Sequence, residues 1–157
     1  MKILVLIRHA QAENNLEETT DFNRPLTTSG KSDAAKMAGQ LKKAGTVPQV
    51  MISSLALRAL TTANIFSNTL NLQEPQTDKR IYEAEVEALL AVINSVDNQN
   101  QVAALVAHNS GISDLLYYLT GKMTTMPTCA FAIISFETEH WNEVSIGTGK
   151  LLQYSFP

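Results

Sequence analysis

Two short apolar segments, each followed directly by an arginine or histidine, limit the possible folds of this chain most strongly. Residues 2–7 (KILVLI) and 101–107 (QVAALVA) lack the alternation of apolar and polar side chains that a half-exposed strand shows. Strands of this kind are covered on both faces, as in a parallel sheet between helices. Ligands bind such sheets beyond the carboxyl ends of the strands. We therefore expect His9 and His108, which lie just beyond these two ends, to face a common site.

Between the predicted strands, apolar residues recur at helical spacing. We predict a first helix that follows residues 25–30 and ends at Gly45, with further helices over 56–71, 85–96 and 111–119. In the second helix the spacing predicts that Leu57, Leu60, Ala63 and Ile65 face the core. The polar stretch from residue 11 to 23 is too long for a hairpin, and we interpret it as a loop over the end of the first strand.

The remaining apolar segments predict strands whose direction changes along the chain. A second buried strand is expected at 50–53, and three more at 130–137, 141–146 and 151–156. Strands that alternate with helices form parallel sheets, whereas consecutive strands joined by turns form antiparallel ones. The sequence thus predicts an α/β fold, a three-layer sandwich with a mixed, mainly parallel central sheet flanked by helices. We expect residues 1–157 to form a single domain.

Composition excludes several classes of function. The net charge is −3 and the basic residues are scattered, so we expect no nucleic-acid partner. The single cysteine, Cys129, permits a reducing compartment and excludes a cysteine-based zinc site. The apolar run at 3–7 is too short for a signal peptide or a membrane span, so we expect a cytoplasmic protein with no membrane partner.

Basic residues gather where the strands end. Arg8 and His9 follow the first strand, His108 follows the 101–107 strand, and Arg58 lies about one helical turn beyond the strand end at Ser53. If these strands are neighbours, the four basic side chains converge on a cationic pocket. A phosphate dianion fits such a pocket, because guanidinium groups match phosphate oxygens in a bidentate fork.

Three motifs in this order resemble the histidine phosphatase superfamily, which has the phosphoglycerate-mutase-like fold. They are Arg8-His9-Ala10, the run Ser54-x-x-x-Arg58-Ala59-x-x-Thr62-Ala63, and Ala107-His108-Asn109-Ser110. Within that superfamily, residues 23–30 (NRPLTTSG) look like the run before the first helix of SixA-type phosphohistidine phosphatases. The chain departs from the family at Ala10 and Ala107, where glycine is usual, and at Ala12, where mutase-like members often have serine.

The resemblance implies a phosphatase without cofactor or metal. His9 is then the nucleophile that forms a phosphohistidine intermediate, and Arg8, Arg58 and His108 bind the phosphate and stabilise the charge of the transition state. Glu83 stands near the place where relatives carry a general acid.

Further contacts to the substrate are expected from the loop over the first strand and from the turn after His108. We assign them to Asn109, to Arg24 and to Asn15, where Asn14 or Asn15 could replace the hydrogen bond that Ala12 does not make.

The resemblance also suggests the substrate. A short chain without the insertions of larger relatives should leave its pocket open to a side chain of another protein, so phosphohistidine on a phosphotransfer domain is the preferred substrate. A small phosphomonoester is the alternative within the same chemistry, and a catalytically weak module that binds phosphate or a phosphoprotein is an alternative of another class. A metal hydrolase is disfavoured because ligands at close spacing are lacking in the sequence. The oligomeric state is not predicted.

Overall fold

The computed structural model describes residues 1–14 and 17–157, which form four α-helices and a six-stranded sheet. The strands are β1 (Lys2–Arg8), β2 (Val50–Ser53), β3 (Gln76–Thr77), β4 (Val102–Ala107), β5 (Phe131–Phe136) and β6 (Gly149–Ser155). The helices are α1 (Thr28–Lys43), α2 (Leu57–Leu70), α3 (Val86–Asn94) and α4 (Gly111–Thr120). No helix within these described residues is long and apolar enough to cross a membrane.

The sheet has the order β3-β2-β4-β1-β5-β6, with parallel pairing from β3 to β1 and antiparallel pairing of β5 with both of its neighbours. In the register of β1 with β4, Arg8 lies beside Ala107. The N–H of His9 donates to the carbonyl of Ala107 at 3.1 Å. The two central strands therefore end together, and their histidines leave the same edge of the sheet, as the sequence predicts.

Helices cover both faces of the sheet. One apolar cluster joins it to α3 and α4 and contains Leu89, Val92 and Leu115; the opposite cluster joins it to α1 and α2 and includes Met37 and Phe66. Full burial of each such side chain contributes roughly 1.5–3 kcal/mol of transfer free energy. The predicted three-layer α/β fold is confirmed.

The start of α1 holds the polar loop against the sheet. Thr27 caps the helix by accepting a hydrogen bond from the N–H of Gly30 at 2.8 Å. A Cβ at Gly30 would lie 2.2 Å from the carbonyl oxygen of Gln11, so only glycine allows this approach. The backbone that follows His9 thus packs directly on the first turn of α1.

Two predictions about single elements are wrong. Residues 141–146 form no strand, because Trp141 and Val144 both turn inward at a spacing of three residues, and Trp141–Glu143 is a short 3-10 turn. In α2, Ala63 is buried as predicted, but Leu57 is exposed and Leu60 and Ile65 are only partly buried; Ala59 and Phe66 complete the inward face. The helix is rotated so that Arg58, which is only 6% exposed, points toward the end of the sheet.

Candidate active site

A cleft of about 370 Å³ opens at the carboxyl edge of β1 and β4. All four basic residues predicted to converge, Arg8, His9, Arg58 and His108, line this cleft. The other lining residues are polar or small: Gln11, Ala12, Asn14, Arg24, Asn109 and Thr128. The sequence therefore predicted the main contributors to the cleft.

His9 has a fixed ring orientation. Its Nδ1 lies 2.7 Å from the carbonyl oxygen of Ala10, which cannot donate, so Nδ1 carries the proton and the lone pair is on Nε2. Burial is the main cause that lowers the pKa of His9 to about 4, and the charges of Arg58 and Arg8 add to the effect. At neutral pH the ring is therefore an uncharged imidazole, which is the form a nucleophile requires.

The backbone next to His9 is tied to α2. The N–H of Ala10 donates to the Thr62 hydroxyl at 3.0 Å, and that hydroxyl donates to the carbonyl of Arg58 at 2.7 Å. Thr62 is fully buried. Thr62 thus connects the backbone at the end of β1 to Arg58 on α2. Two of the sequence motifs are therefore in direct contact.

His108 faces His9 across the cleft, with ring centroids 5.1 Å apart. Both of its ring nitrogens are buried, and neither has a hydrogen-bond partner in the described part of the chain. Burial first, then the charges of His9 and Arg58, lower the pKa of His108 to about 3. An anion between the rings would raise the pKa of His108 again, because a nearby negative charge favours the protonated imidazole.

Arg8 is anchored through one terminal nitrogen and Arg58 through both, and each has an unpaired Nε–H group among the described residues. Arg8 donates from Nη1 to the carbonyl of Met126 at 3.0 Å, and Arg58 donates from Nη1 to the carbonyl of Asp21 at 2.7 Å. Among the described residues, neither buried Nε atom has a partner. The pKa of Arg8 is lowered by burial and by the charge of Arg58. Two cations with unpaired buried donors favour an anionic ligand at this point.

Asn109 is held by a network that also anchors Arg8. Its Nδ2 donates to the carbonyl of Met126 at 2.9 Å, and its Oδ1 accepts from the Ser113 hydroxyl at 2.6 Å. The Ser113 hydroxyl in turn accepts from the N–H of Met126 at 2.9 Å. Asn109 lines the cleft as predicted, and one of its two amide N–H groups is already engaged with the protein.

Arg24 lies at the rim of the cleft. It donates from Nη1 to the carbonyl of Glu13 at 3.0 Å and to Oδ1 of Asn14 at 3.2 Å, so it orders the loop that follows β1. Asn14 lines the cleft, which is consistent with a role in replacing the hydrogen bond that Ala12 lacks. Asn15, the other candidate, lies outside the described residues.

Glu83 is the one described candidate that the structure does not bring into the cleft. It is exposed, has a φ of 52°, and is absent from the lining residues. Within residues 1–14 and 17–157 it forms neither a hydrogen bond nor an ion pair. Its assignment as general acid stays a prediction that the geometry does not support.

Sequence reasoning missed several residues that hold the site together. Asp21 pairs with Arg24 and Arg58, and Tyr82 donates to Asp21. The spacing of Asp21 and Arg24 is a weak signal for a local ion pair. Nothing in the sequence indicates the contact of Tyr82 with Asp21, because 61 positions separate the two residues.

Comparison with known families agrees with this geometry. The model of the histidine phosphatase superfamily (branch 1) matches residues 4–89, which include β1, the Arg8-His9 pair and the Arg58 helix. This match covers more than half of the chain.

The chain belongs to the histidine phosphatase superfamily.

Curated relatives of this histidine phosphatase are distant or partial. An uncharacterized chloroplastic protein of Arabidopsis thaliana is 27% identical, over 89% of this chain and 69% of its own length. A 2,3-bisphosphoglycerate-dependent phosphoglycerate mutase of Corynebacterium jeikeium is 39% identical over 64 residues. That match covers 40% of this chain and 25% of the mutase.

Solved structures show the same fold over nearly the whole chain. A protein of Agrobacterium tumefaciens that is assigned as the phosphohistidine phosphatase SixA superposes with a TM-score of 0.86 and 22% identity, covering 99% of this chain and 98% of that one. The protein histidine phosphatase SixA in complex with tungstate gives a TM-score of 0.83 and 21% identity, covering 98% and 96%. The expected phosphoglycerate-mutase-like superfamily fold, in its short SixA-like form, is confirmed.

The site has the groups that phosphoryl transfer requires. An uncharged imidazole faces a cluster of unpaired N–H donors, and such donors stabilise the charge that spreads over the phosphoryl oxygens in the transition state. In the described chain, no three His, Cys, Asp or Glu side chains are grouped to hold a metal ion. Family and geometry together support a phosphatase that acts on phosphorylated substrates.

Proposed function

We propose that this chain is a metal-independent phosphatase that removes phosphate from phosphohistidine on a protein. The observation that carries the proposal is the orientation of His9. Its proton is held on Nδ1 by the carbonyl of Ala10, so Nε2 is the atom available for attack in a cleft with unpaired donors on Arg8, Arg58 and His108.

The reaction proceeds in two steps. Nε2 of His9 forms a bond to phosphorus as the bond to the leaving group breaks in line, and water then hydrolyses the phosphohistidine. Arg8, Arg58 and His108 neutralise the phosphoryl oxygens in both steps. Their charges take the place of the magnesium ions that other phosphoryl-transfer enzymes use.

A phosphohistidine substrate fits the absence of Glu83 from the cleft lining. The leaving group of a phosphoramidate is an imidazole nitrogen, which needs less help from a general acid than the oxygen of an alkyl ester. Water or His108 can supply its proton. An alkyl phosphomonoester would leave this site without an acid of the usual kind.

The extent of the likeness to SixA favours a protein substrate. The chain superposes on 98% of the SixA-assigned protein from Agrobacterium, whereas its sequence match to the Corynebacterium mutase covers only 25% of that enzyme. A phosphorylated side chain on a phosphotransfer domain can reach such a cleft without a lid closing over it. A single domain over residues 1–157 and a cytoplasmic location belong to this proposal and stay predictions.

The test compares two substrates in excess chelator. We expect a phosphohistidine-bearing phosphotransfer domain to give a kcat/KM well above that of an aryl phosphate, and His9→Ala to abolish both activities. A preference for the aryl ester by orders of magnitude would contradict the phosphohistidine assignment. Loss of all activity in chelator, with recovery on adding a divalent metal, would contradict metal independence.

A further inference from the structure

Asp21, in the segment between β1 and α1, accepts hydrogen bonds from both Arg24 and Arg58. Nη1 of Arg58 donates to its backbone carbonyl at 2.7 Å, and Nη2 of Arg58 donates to Oδ2 at 3.2 Å. Nε of Arg24 donates to Oδ1 at 3.0 Å. Asp21 thus contacts two arginines that line the cleft, although it is not itself part of the cleft lining.

The Asp21 contacts determine which part of Arg58 is left for a ligand. Each terminal nitrogen of the guanidinium gives one of its two N–H groups to Asp21, and the buried Nε–H has no partner among the described residues. A free arginine side chain has many rotamers, and holding it in one removes an entropic cost of binding. Asp21 therefore fixes Arg58 with its Nε–H group still available to a phosphate oxygen.

Tyr82 also donates to the Asp21 carboxylate, to the same oxygen that accepts from Arg58. Its hydroxyl donates to Oδ2 of Asp21 at 2.6 Å, and its ring lies edge-on to the ring of His108 with centroids 5.7 Å apart. Cζ of Arg58 lies 6.0 Å from the centre of the Tyr82 ring, within reach of a cation–π interaction. The hydrogen bond to Asp21 raises the pKa of Tyr82 to about 12, so the hydroxyl remains a donor at neutral pH.

We propose that Asp21 and Tyr82 form a positioning pair that holds Arg58 ready for the phosphate, with Tyr82 acting through Asp21. The proposal rests on the phosphatase function argued above. Two physical effects of Asp21 oppose each other: its negative charge weakens the attraction of the cleft for an anion, and its hydrogen bonds organise the arginine that binds the anion. A positioning role means that the second effect is the larger.

Anion binding separates these two effects without any turnover. Tungstate, a phosphate analogue, is titrated calorimetrically into the wild type and into Asp21→Ala, Asp21→Asn and Tyr82→Phe. We expect Asp21→Ala to weaken tungstate binding about tenfold, as loss of charge-assisted hydrogen bonds does. Tighter or unchanged binding would show that only the charge matters, and would overturn the proposal. If Asp21→Ala fails to fold, the isosteric Asp21→Asn shows instead whether tungstate binding becomes weaker, as the proposal expects, or stays unchanged or tightens, which would overturn it.

The route through Asp21 is tested with a double variant. Tyr82→Phe is expected to weaken tungstate binding in the wild type but to have no further effect in the Asp21→Ala background. Additive effects would overturn the pairing. The ¹⁵N–¹H resonance of the Arg58 Nε–H group gives an independent readout: we expect it to be sharp in the wild type, to shift with tungstate, and to broaden in Asp21→Ala.

Controls and kinetics complete the test. Asp97→Asn changes an exposed aspartate between α3 and β4, at the opposite end of the sheet, and Tyr154→Phe changes a tyrosine on β6; both should bind tungstate like the wild type.

With aryl phosphate, the Asp21 and Tyr82 variants should raise KM more than they lower kcat. If the wild type and variants differ in tungstate affinity as expected but none turns over phosphate, the pair stands and the phosphatase proposal fails. If all turn over equally well, the pair fails and the phosphatase proposal stands.

Discussion

At the scale of single residues, the chemistry depends on which groups are charged before the substrate arrives. His9 and His108 both have pKa values well below 6.5, about 4 and about 3, because they are buried beside two arginines. A neutral His9 is ready to attack. A neutral His108 is a poor partner for phosphate until an anion enters and favours its protonation.

Anion binding should therefore be coupled to proton uptake by His108. We expect tungstate binding at pH 7.5 to be accompanied by a net uptake of protons, because a dianion between the rings and arginines raises the pKa of His108. Calorimetry in two buffers of different ionisation enthalpy measures this uptake. His108→Gln should bind tungstate more weakly and without proton uptake, and equal uptake by the wild type and this variant would contradict the role of His108.

The sequence predicts some site residues and not others for a physical reason. Arg8, His9 and His108 follow buried strands, and strand ends are visible in a pattern of apolar residues. Arg58 is predicted because it lies about one helical turn beyond the strand end at Ser53, and the motif that it shares with the family supports this prediction. Asp21 and Tyr82 contact each other from short turns between the main elements, where side-chain contacts depend on the folded path of the backbone and leave no periodic signal.

At the scale of elements, the first turn of α1 controls the loop after His9. A Cβ at Gly30 would lie 2.2 Å from the carbonyl oxygen of Gln11, whereas a Cβ at Gly39, in the same helix, would meet nothing within 4 Å. The two glycines therefore form a matched pair. One is required by a close backbone approach, and the other only weakens the helix.

We expect the alanine variants of these glycines to change stability in opposite directions. Gly30→Ala should lower the free energy of unfolding by roughly 1–3 kcal/mol and weaken tungstate binding, because the backbone beyond His9 must shift. Gly39→Ala should raise the free energy of unfolding by roughly 0.5–1 kcal/mol and leave binding unchanged. Urea unfolding measures both, and a neutral Gly30→Ala would contradict the packing described here.

The element predictions fail where tertiary contacts outweigh local pattern. In α2 the leucines at 57 and 60 look like core residues, but the helix instead buries Arg58 and the small residues that let it approach the sheet. Near Trp141, the indole N–H donates to the carbonyl of Asn100 at 2.8 Å, which favours a turn over an extended strand. Neither contact can be derived from spacing alone.

At the scale of the whole molecule, the histidines link stability to pH. Their pKa values are lower in the folded state than the ordinary 6.5, so the unfolded chain binds more protons from pH 6.5 down to about 4 for His9 and about 3 for His108. The stability they contribute is complete above pH 6.5 and is lost as the pH falls through this window. The lowered pKa of Asp21, in contrast, changes stability only as the pH falls below the ordinary value of 3.8.

We therefore expect the free energy of unfolding to decrease steadily from pH 6.5 to pH 4 in the absence of anions. Replacement of both histidines, His9→Asn with His108→Gln, should flatten the profile, since neither side chain then titrates. Urea unfolding across this range gives the profile. A wild-type stability that does not change between pH 6.5 and 4 would contradict the buried, neutral state of the two rings.

The architecture as a whole was largely predictable. Buried strands without alternation, intervening helices and the change to consecutive strands near the carboxyl terminus predict a mixed α/β sheet, and the observed strand directions, parallel from β3 to β1 and antiparallel at β5 and β6, agree. The two-residue strand β3 was not predicted, because Gln76 and Thr77 carry no apolar signal and pair only at an edge of the sheet. Such an edge strand depends on its neighbour for its conformation.

The central claim is that His9 is the nucleophile, and trapping the phosphorylated enzyme tests it most directly. The wild type is mixed with a ³²P-labelled phosphohistidine domain, quenched in alkali within milliseconds, digested and analysed by mass spectrometry. We expect one phosphate, stable in alkali and labile in acid, on the peptide that contains His9, and none in His9→Ala. Turnover with no phosphorylated enzyme at any time, or with the phosphate on a different residue, would contradict the mechanism.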